Sequence, residues 1–269
     1  MKAGLMPKVL LIAGLDPSGH AGIIADIRTV TAFGILCSGV ITSITDQTEN
    51  RYYASQKVTP DMVKKQLSHL FEKDKFDSIK VGMLSFDGMI SVISGIFTQL
   101  KPLNIVLDPV LISTTGGELL EKDALNTLRE RLLPLCDILT PNVPEAERLT
   151  GLRITSIDDM LKAGKILVDM GCKNVMIKGG HIMNNAADIL ITGKRHYIIE
   201  GDFIPESDFR GTGCVLSSAV AALLAKGYKI RDAVTKAKSF LENARRNPVY
   251  DSNSMRFLNV FTEMPDASK

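Results

Sequence analysis

Short runs of apolar, often β-branched residues alternate along this chain with longer segments in which apolar residues recur every third or fourth position. The short runs predict strands at 8–13, 36–44, 78–82, 104–108, 137–140 and 174–178. The longer segments predict helices at 21–33, 60–74, 87–100, 122–133, 144–150, 156–170, 214–226 and 231–246. Two further runs, 186–191 and 195–204, are split by Thr192-Gly193 and predict a hairpin. Apolar strands separated by helices are typical of a mainly parallel sheet covered on both faces, so the sequence predicts an α/β fold.

The domain organisation follows from the same pattern. The 269 residues are enough for one large α/β domain or for two small ones. No internal repeat, low-complexity tract or linker divides the chain, so we expect a single domain over 1–247. The helical periodicity stops at Asn247-Pro248, and we expect 248–269 to form a loosely packed C-terminal tail.

Composition and charge narrow the function classes. The formal net charge of +2 is too small to indicate nucleic acid or an anionic membrane as a partner. No apolar run approaches the roughly 20 residues of a membrane-spanning helix. The cysteines are widely spaced and form no Cys-x-x-Cys pair, which argues against a zinc site or a disulfide framework and favours a reducing cytoplasm. The four cysteines are Cys37, Cys136, Cys172 and Cys214.

Polar clusters follow the predicted parallel strands at their carboxyl ends. Asp16-Pro17-Ser18-Gly19 follows the first strand, and Asp108-Pro109 closes the fourth. Thr140-Pro141-Asn142 and Lys178-Gly179-Gly180-His181 close the next two. Ligands of open α/β sheets bind beyond the carboxyl ends of the strands, so these clusters predict one shared site.

A glycine turn precedes the last long apolar helix, in the segment DFRGTGCVLSSAVAALLAKG. Gly211 and Gly213 permit positive φ and close backbone approach, so successive N–H groups can point at one anion, and the helix adds its positive end. Cys214 is expected to have a lowered thiol pKa there and to serve as a polar contact or a base. The alternative is a glycine-containing loop with a half-buried structural cysteine. The chain has no GxxxxGK[ST] motif, and Leu216 replaces the third glycine of GxGxxG, which excludes P-loop chemistry and argues against a dinucleotide fold.

Four charged residues have both a functional and a structural interpretation. Together with Asn142, Asp108 and Glu145 could hold Mg²⁺ through water, although each carboxylate singly is typical of a strand-end or helix-start acid. Lys178 could meet a phosphate or extend along the surface. Asp26 lies one turn into a helix that follows a glycine-rich loop, where it could hold a donor of a ligand ring or be exposed.

Seven motifs together carry a resemblance to a known family. They are GLDPSGHAGIIADIRT, VITSITDQT, KVGML, LDPV, TPNVPEAERLTG, VMIKGGH and RGTGC, in this order. Between about residues 8 and 245 the chain resembles the hydroxymethylpyrimidine/phosphomethylpyrimidine kinases of thiamine biosynthesis, members of the ribokinase-like superfamily. The resemblance implies a three-layer α/β/α sandwich, ATP and Mg²⁺, phosphorylation of 4-amino-5-hydroxymethyl-2-methylpyrimidine and of its monophosphate, and a homodimer.

The resemblance also implies roles for individual residues. The acceptor pocket is implied at Gly14, Asp26, Gln47, Met83 and Val110. Metal binding is implied at Asp108 and Glu145, and ATP contacts at Asn142, Lys178 and Thr212. The catalytic cysteine matches Cys214, and the anion hole matches Gly211, Thr212 and Gly213.

The chain departs from the family pattern at several positions. The departures are His20, Ile24, Asp46, Thr48 and the pair Phe209-Arg210. Phe209-Arg210 precedes the anion hole, where the arginine could add a cation for phosphate, whereas His20, Asp46 and Thr48 are expected near the acceptor. They leave open a pyridoxal or pyridoxine kinase of the same lineage. A non-catalytic ligand-sensing domain is the alternative from another class.

Overall fold

The computed structural model describes residues 6–48, 51–113, 116–180, 187–201, 209–252 and 254–261. Its strands are β1 (Lys8–Leu15), β2 (Leu36–Gln47), β3 (Tyr52–Lys57), β4 (Ser78–Val81), β5 (Ile105–Leu107), β6 (Ile138–Leu139), β7 (Asn174–Ile177), β8 (Asp188–Thr192), β9 (Arg195–Ile199), β10 (Val249–Tyr250) and β11 (Arg256–Phe257). Its helices are α1 (Gly22–Ala32), α2 (Pro60–Lys73), α3 (Asp87–Leu100), α4 (Ala124–Thr127), α5 (Val143–Thr150), α6 (Ile157–Asp169), α7 (Thr212–Ala225) and α8 (Ile230–Arg246).

Several helices begin where the sequence supplies a cap. Thr59 Oγ1 accepts a hydrogen bond from the Met62 N–H, and Pro60 occupies the first position of α2. At the start of α5, Asn142 Oδ1 accepts from the Glu145 N–H while Glu145 Oε2 accepts from the Asn142 N–H, each at 2.8 Å. This reciprocal pair satisfies two backbone donors at the helix start, so α5 begins at a fixed place beside the sheet.

Within the described residues, β1–β9 form one sheet in the order β3-β2-β1-β4-β5-β6-β7-β8-β9. The six central strands, β2-β1-β4-β5-β6-β7, are parallel to one another. At the edges, β3 pairs antiparallel with β2, β8 with β7 and β9 with β8. The chain adds β2 on one side of β1 and then returns to add β4 on the other. Loops beyond β1 and β4 therefore diverge, which opens a crevice at the carboxyl end of the sheet.

Two apolar cores lie on opposite faces of the sheet. One contains residues of α2, α3, α5 and α6, such as Leu67, Phe97 and Leu167. The other contains residues of α1, α7 and α8, such as Val30, Val220 and Phe240. The expected mainly parallel α/β architecture with helices on both faces is confirmed. Among the described residues, no helix has the length and apolar character needed to cross a membrane.

The sequence pattern missed some elements. The expected helix 122–133 is instead the short α4 followed by a wider turn at 128–132 and a tighter one at 133–135, where Pro134 cannot continue an α-helix. β3 was not predicted because its side chains are largely exposed and do not alternate. The expected hairpin is present as β8 and β9, while its ends at 186 and 202–204 lie outside the described residues, as does His181.

The tail also differs from expectation. β10 and β11 pair antiparallel, and Leu258 and Val260 are buried in the core that contains α1, α7 and α8. The expectation of a loosely packed tail is therefore wrong for 255–260, whereas residues 250–252, 254 and 261 are exposed. The pattern could not indicate this because two-residue strands carry no measurable period. Residues 262–269 lie outside the described part of the chain.

Candidate active site

A cavity of about 290 Å³ opens at the carboxyl ends of the parallel strands, beside the first turns of α5 and α7. Twelve of the thirteen residues that the sequence predicted for the site line it. They are Gly14, Gln47, Met83, Asp108, Val110, Asn142, Glu145, Lys178, Gly211, Thr212, Gly213 and Cys214. Asp26 does not, and it is described below. The predicted polar clusters at the strand ends thus converge on one site.

The glycine turn forms the base of this cavity. Gly211 is the residue before α7 and has a φ of 77°, a conformation that favours glycine. A Cβ on Gly211 would collide with the His20 carbonyl oxygen, and one on Gly213 would lie 3.2 Å from Lys178 Nζ. The first N–H groups of a helix have no partner within the helix, and its dipole is positive there. The turn can therefore receive an anion next to the Lys178 ammonium.

A buried cluster of two carboxylates and one ammonium lies beside the turn. Lys178 Nζ is 3.0 Å from Asp108 Oδ1 and 4.0 Å from Glu145 Oε2. Burial raises the pKa of Glu145 to about 7, Lys178 opposes the rise, and Asp108 adds to it. Although burial works against it, Lys178 and Lys80 hold the pKa of Asp108 below its usual value. Glu145 is thus the carboxylate whose charge is least well balanced.

The donor set of this cluster fits Mg²⁺. Asp108 and Glu145 offer the carboxylate oxygens that hard cations prefer, and a magnesium ion usually keeps several waters and needs few protein ligands. A cation at this place would also supply the positive charge that the Glu145 carboxylate lacks. Among the described residues, no group of three or more His, Cys, Asp or Glu side chains forms a fuller metal cage.

Asp26 lies behind the cavity rather than in its wall. Lys80 Nζ is 2.8 and 2.7 Å from its two carboxylate oxygens, and Ser218 Oγ donates to Oδ1 at 2.8 Å. Both charged side chains are fully buried. The interpretation of Asp26 as a direct ligand contact therefore does not match its position. Lys80, which the sequence analysis did not single out, lines the cavity and interacts electrostatically with both Asp26 and Cys214.

The expected lowering of the Cys214 pKa is wrong. Burial raises the pKa of this thiol to about 12, and the carboxylates of Asp26 and Asp108 add to the rise. Lys80 and a hydrogen bond from the Gly22 N–H oppose it without cancelling it. The helix N-terminus suggested a thiolate, but loss of water and two nearby negative charges outweigh the helix dipole. Cys214 is consequently a thiol at neutral pH.

The acceptor side of the cavity is formed by the ends of β1, β2 and β4. Gln47 is the last residue of β2, and Met83 follows β4 with its carbonyl held by Thr42 Oγ1 at 2.5 Å. The Met83 sulfur packs against Gly14, leaving no room for a side chain there. This wall combines an amide with apolar surface, which suits a small heterocycle.

Some of the residues that the sequence analysis gave as departures from the family pattern contact this site, and others do not. Arg210 lines the cavity, where it donates to the Thr48 carbonyl at 2.6 Å and to Asp16 Oδ2 at 3.3 Å. Asp46 is exposed and absent from the lining, because alternate β2 side chains point to opposite faces. His20 lies behind Gly211 rather than in the cavity wall.

Comparison with known proteins identifies the family. A family model described as phosphomethylpyrimidine kinase matches residues 16–255. A hydroxymethylpyrimidine/phosphomethylpyrimidine kinase of Aquifex aeolicus is 39% identical over 239 residues, covering 88% of this chain and 94% of that protein. The thiamine biosynthesis bifunctional protein ThiED of Geobacter sulfurreducens is 38% identical over 239 residues, covering 88% of this chain. The chain spans about half of that bifunctional relative, 49% of its length.

Solved structures agree in fold. The crystal structure of phosphomethylpyrimidine kinase from Clostridium difficile matches with a TM-score of 0.79 and 37% identity, covering 88% of this chain and 99% of that chain. The pyridoxal kinase from Staphylococcus aureus in complex with ADP matches with a TM-score of 0.87 and 30% identity, covering 96% and 94%. The expected ribokinase-like three-layer sandwich is confirmed. Because the family model spans most of the sequence and relatives cover it at 36–39% identity, this chain belongs to the phosphomethylpyrimidine kinase family.

Proposed function

We propose that this protein transfers the γ-phosphoryl group of ATP to the hydroxymethyl group of 4-amino-5-hydroxymethyl-2-methylpyrimidine and, in a second reaction, to its monophosphate. One observation carries the proposal. A single cavity is lined by an acceptor wall around Gln47 and Met83, by the anion-binding glycine turn, and by the carboxylate–ammonium cluster of Asp108 and Lys178 beside that turn. Phosphoryl transfer depends mostly on positioning and electrostatic stabilisation, which this arrangement supplies.

The acceptor ring is held on the Gln47 side. A glutamine amide carries both a donor and an acceptor, so it can pair with a ring nitrogen and with the exocyclic amino group of an aminopyrimidine together. Met83 and Val110 offer apolar surface to the ring faces. The hydroxymethyl group then extends towards the glycine turn, where the phosphoryl group is received.

The transfer step uses the turn and Cys214. Backbone N–H groups of the Gly211–Gly213 turn stabilise charge on the transferred phosphoryl oxygens, and Lys178 and Asn142 contact the phosphates of ATP. The acceptor hydroxyl oxygen bonds to phosphorus as the bond to ADP breaks, and its proton passes to a phosphoryl oxygen and then to water. The Cys214 sulfur orients the hydroxyl by accepting its hydrogen bond, a role that a neutral thiol can fill.

Asp108 and Glu145 are the residues that would hold Mg²⁺. When bound, the ion neutralises charge on the phosphate oxygens. Burial raises the pKa of Glu145 to about 7 even though Lys178 lies 4.0 Å away, which supports this assignment because a bound cation would add the positive charge that the carboxylate still lacks. Asp108 keeps its charge through Lys178 and remains available as the permanent anionic ligand.

Pyridoxal is the second candidate acceptor. Pyridoxal kinases of Staphylococcus aureus match this fold at TM-scores of 0.85–0.87, above the 0.79 of the Clostridium difficile phosphomethylpyrimidine kinase. The sequence identity is higher to the latter, at 37% against 28–30%. Because acceptor recognition depends on side chains more than on backbone shape, the identity favours the aminopyrimidine.

An ADP-release assay tests the proposal. The protein is incubated with Mg²⁺ and ATP plus hydroxymethylpyrimidine, its monophosphate or pyridoxal, with a Cys214→Ala variant as control for acceptor-independent ATP hydrolysis. We expect turnover of both pyrimidines at far higher kcat/KM than pyridoxal. A preference for pyridoxal would move the function to vitamin B6 salvage, and no turnover of any acceptor would contradict a kinase.

We also propose that the protein forms a homodimer through the β2–β3 hairpin. Ile44 and Tyr53 expose 46% and 52% of their surface there, and β3 ends one edge of the sheet. Size-exclusion chromatography with light scattering measures the oligomeric state, and Tyr53→Lys is expected to shift the protein towards monomer. The cytoplasmic location stays a prediction.

A further inference from the structure

The C-terminal hairpin, β10 and β11 with residues 258–260, is anchored to the body of the protein. Leu258 and Val260 are only 9% and 4% exposed and pack in the core that contains α1, α7 and α8. The Asn259 N–H donates to the Ala244 carbonyl near the end of α8 at 3.2 Å. A segment held at these points has a fixed position relative to α7, whose first turn forms the base of the cavity.

Two consecutive residues of this hairpin contact the segments that flank the anion-binding turn. The Phe257 ring stacks on the His20 ring with a centroid distance of 3.9 Å and an angle of 17°. The Arg256 guanidinium lies 4.2 Å from the centroid of the Phe209 ring. The remaining gap in this region is about 20 Å³, little more than one water molecule fills. The contacts are therefore close enough that a shift of the hairpin would displace the His20 and Phe209 rings.

His20 and Phe209 both connect directly to the turn. The His20 carbonyl packs against Gly211 so closely that any side chain on Gly211 would collide with it. Phe209 stands two residues before Gly211 and is 6% exposed. A displacement of either ring would reach the backbone N–H groups that face the phosphoryl group.

We infer that the C-terminal hairpin is a positioning element of the phosphoryl-transfer site, and that Phe257 fixes the Gly211 turn through its stacking on His20. The inference rests on the proposed function. Phe257 does not line the cavity, so it acts through His20 and Gly211. Misplacing donors by a fraction of an ångström lowers the stabilisation of the transition state more than the binding of the ground state.

The test compares Phe257→Ala with Tyr250→Ala, an aromatic truncation in the same hairpin at a side chain that is 62% exposed. We expect Phe257→Ala to lower kcat about tenfold with every accepted acceptor while the KM values for ATP and acceptor stay within about twofold. Tyr250→Ala should match the wild type. Phe257→Tyr, which keeps the stacked ring, should restore kcat.

Amide hydrogen exchange gives a second readout that needs no activity. The first turn of α7, reported by the Val215 amide that donates to Gly211, should exchange severalfold faster in Phe257→Ala and unchanged in Tyr250→Ala. Unchanged exchange in Phe257→Ala overturns the inference whatever acceptor the wild type uses, and faster exchange with unaltered kcat overturns it too. If Phe257→Ala does not fold, His20→Ala removes the same ring contact and leaves the hairpin anchors in place.

Discussion

The buried ion pair between Asp26 and Lys80 supports the floor of the candidate site, and its removal can be predicted in some detail. Both side chains are fully buried, and the ammonium contacts both carboxylate oxygens at 2.7–2.8 Å. Asp26→Asn keeps the shape of the side chain and the Ser218 contact but removes the negative charge. Lys80 is then left as a buried ammonium without its counter-charge.

Breaking one partner of a buried pair costs about 3–5 kcal/mol, because the remaining charge stays out of water without compensation. For a protein of this size, each kcal/mol corresponds to about 2–4 °C in Tm. We therefore expect Asp26→Asn to lower Tm by about 6–20 °C. Replacing both partners, as in Asp26→Asn with Lys80→Met, should recover a large part of the loss, since no buried charge then remains.

Thermal unfolding followed by circular dichroism measures these changes. Asp61→Asn is a matched control because Asp61 forms an exposed i,i+4 pair with Lys65, with side chains 72% and 65% exposed, and it should change Tm by little more than about 1–2 °C. A Tm for Asp26→Asn as close to the wild type as that of Asp61→Asn would refute the reasoning. So would a double variant that is less stable than the single one.

Three further predictions concern the site. Cys214→Ala should lower kcat about 10²-fold. Cys214→Ser keeps a hydrogen-bond acceptor and should lower kcat less than about tenfold. Equal decreases in kcat for the two variants would favour a thiolate base instead. Gln47→Ala should raise the KM for the pyrimidine far more than that for ATP in steady-state kinetics, and equal effects would mean that the acceptor wall lies elsewhere. Burial raises the pKa of Glu145 to about 7, above its value in the unfolded chain. The stability that protonated Glu145 contributes is therefore present below about pH 4.5 and is lost as pH rises through about 7. Without Mg²⁺, the Tm of Glu145→Gln minus that of the wild type should increase between pH 5 and pH 8. A Tm difference that stays constant over this range would contradict the reasoning.

Much of the fold was predictable because its signals are local. Thr59-Pro60 and the Asn142–Glu145 pair mark helix starts in the sequence itself, and α3 lies at 87–100 as predicted. β3 was missed because an edge strand with exposed side chains has no apolar alternation. The C-terminal hairpin was missed because its contacts with His20 and Phe209 join segments far apart in sequence.

The site was predictable to the extent that sheet topology brings strand ends together. Asp108, Asn142 and Lys178 follow neighbouring parallel strands, so their convergence needs only the predicted sheet order. The position of Asp26 was not predictable, because its partner Lys80 lies 54 residues away in a strand whose four residues are all buried. A lysine within the buried run SIKV was the one available signal.

The charges of the site also bear on how the affinity for a metal–nucleotide complex depends on pH. Two buried ammonium groups, Lys80 and Lys178, face three buried carboxylates, those of Asp26, Asp108 and Glu145. With all five charged, the group carries one excess negative charge, and burial raises the pKa of Asp26 as well as that of Glu145, the latter to about 7. A nucleotide alone would add negative charge and push Glu145 further towards its neutral form. Asp108 and Glu145 would hold a cation that arrives with the nucleotide, and its charge would favour the ionised form of Glu145. Affinity for the metal–nucleotide complex should therefore rise with pH through about 7 in the wild type and lose that dependence in Glu145→Gln.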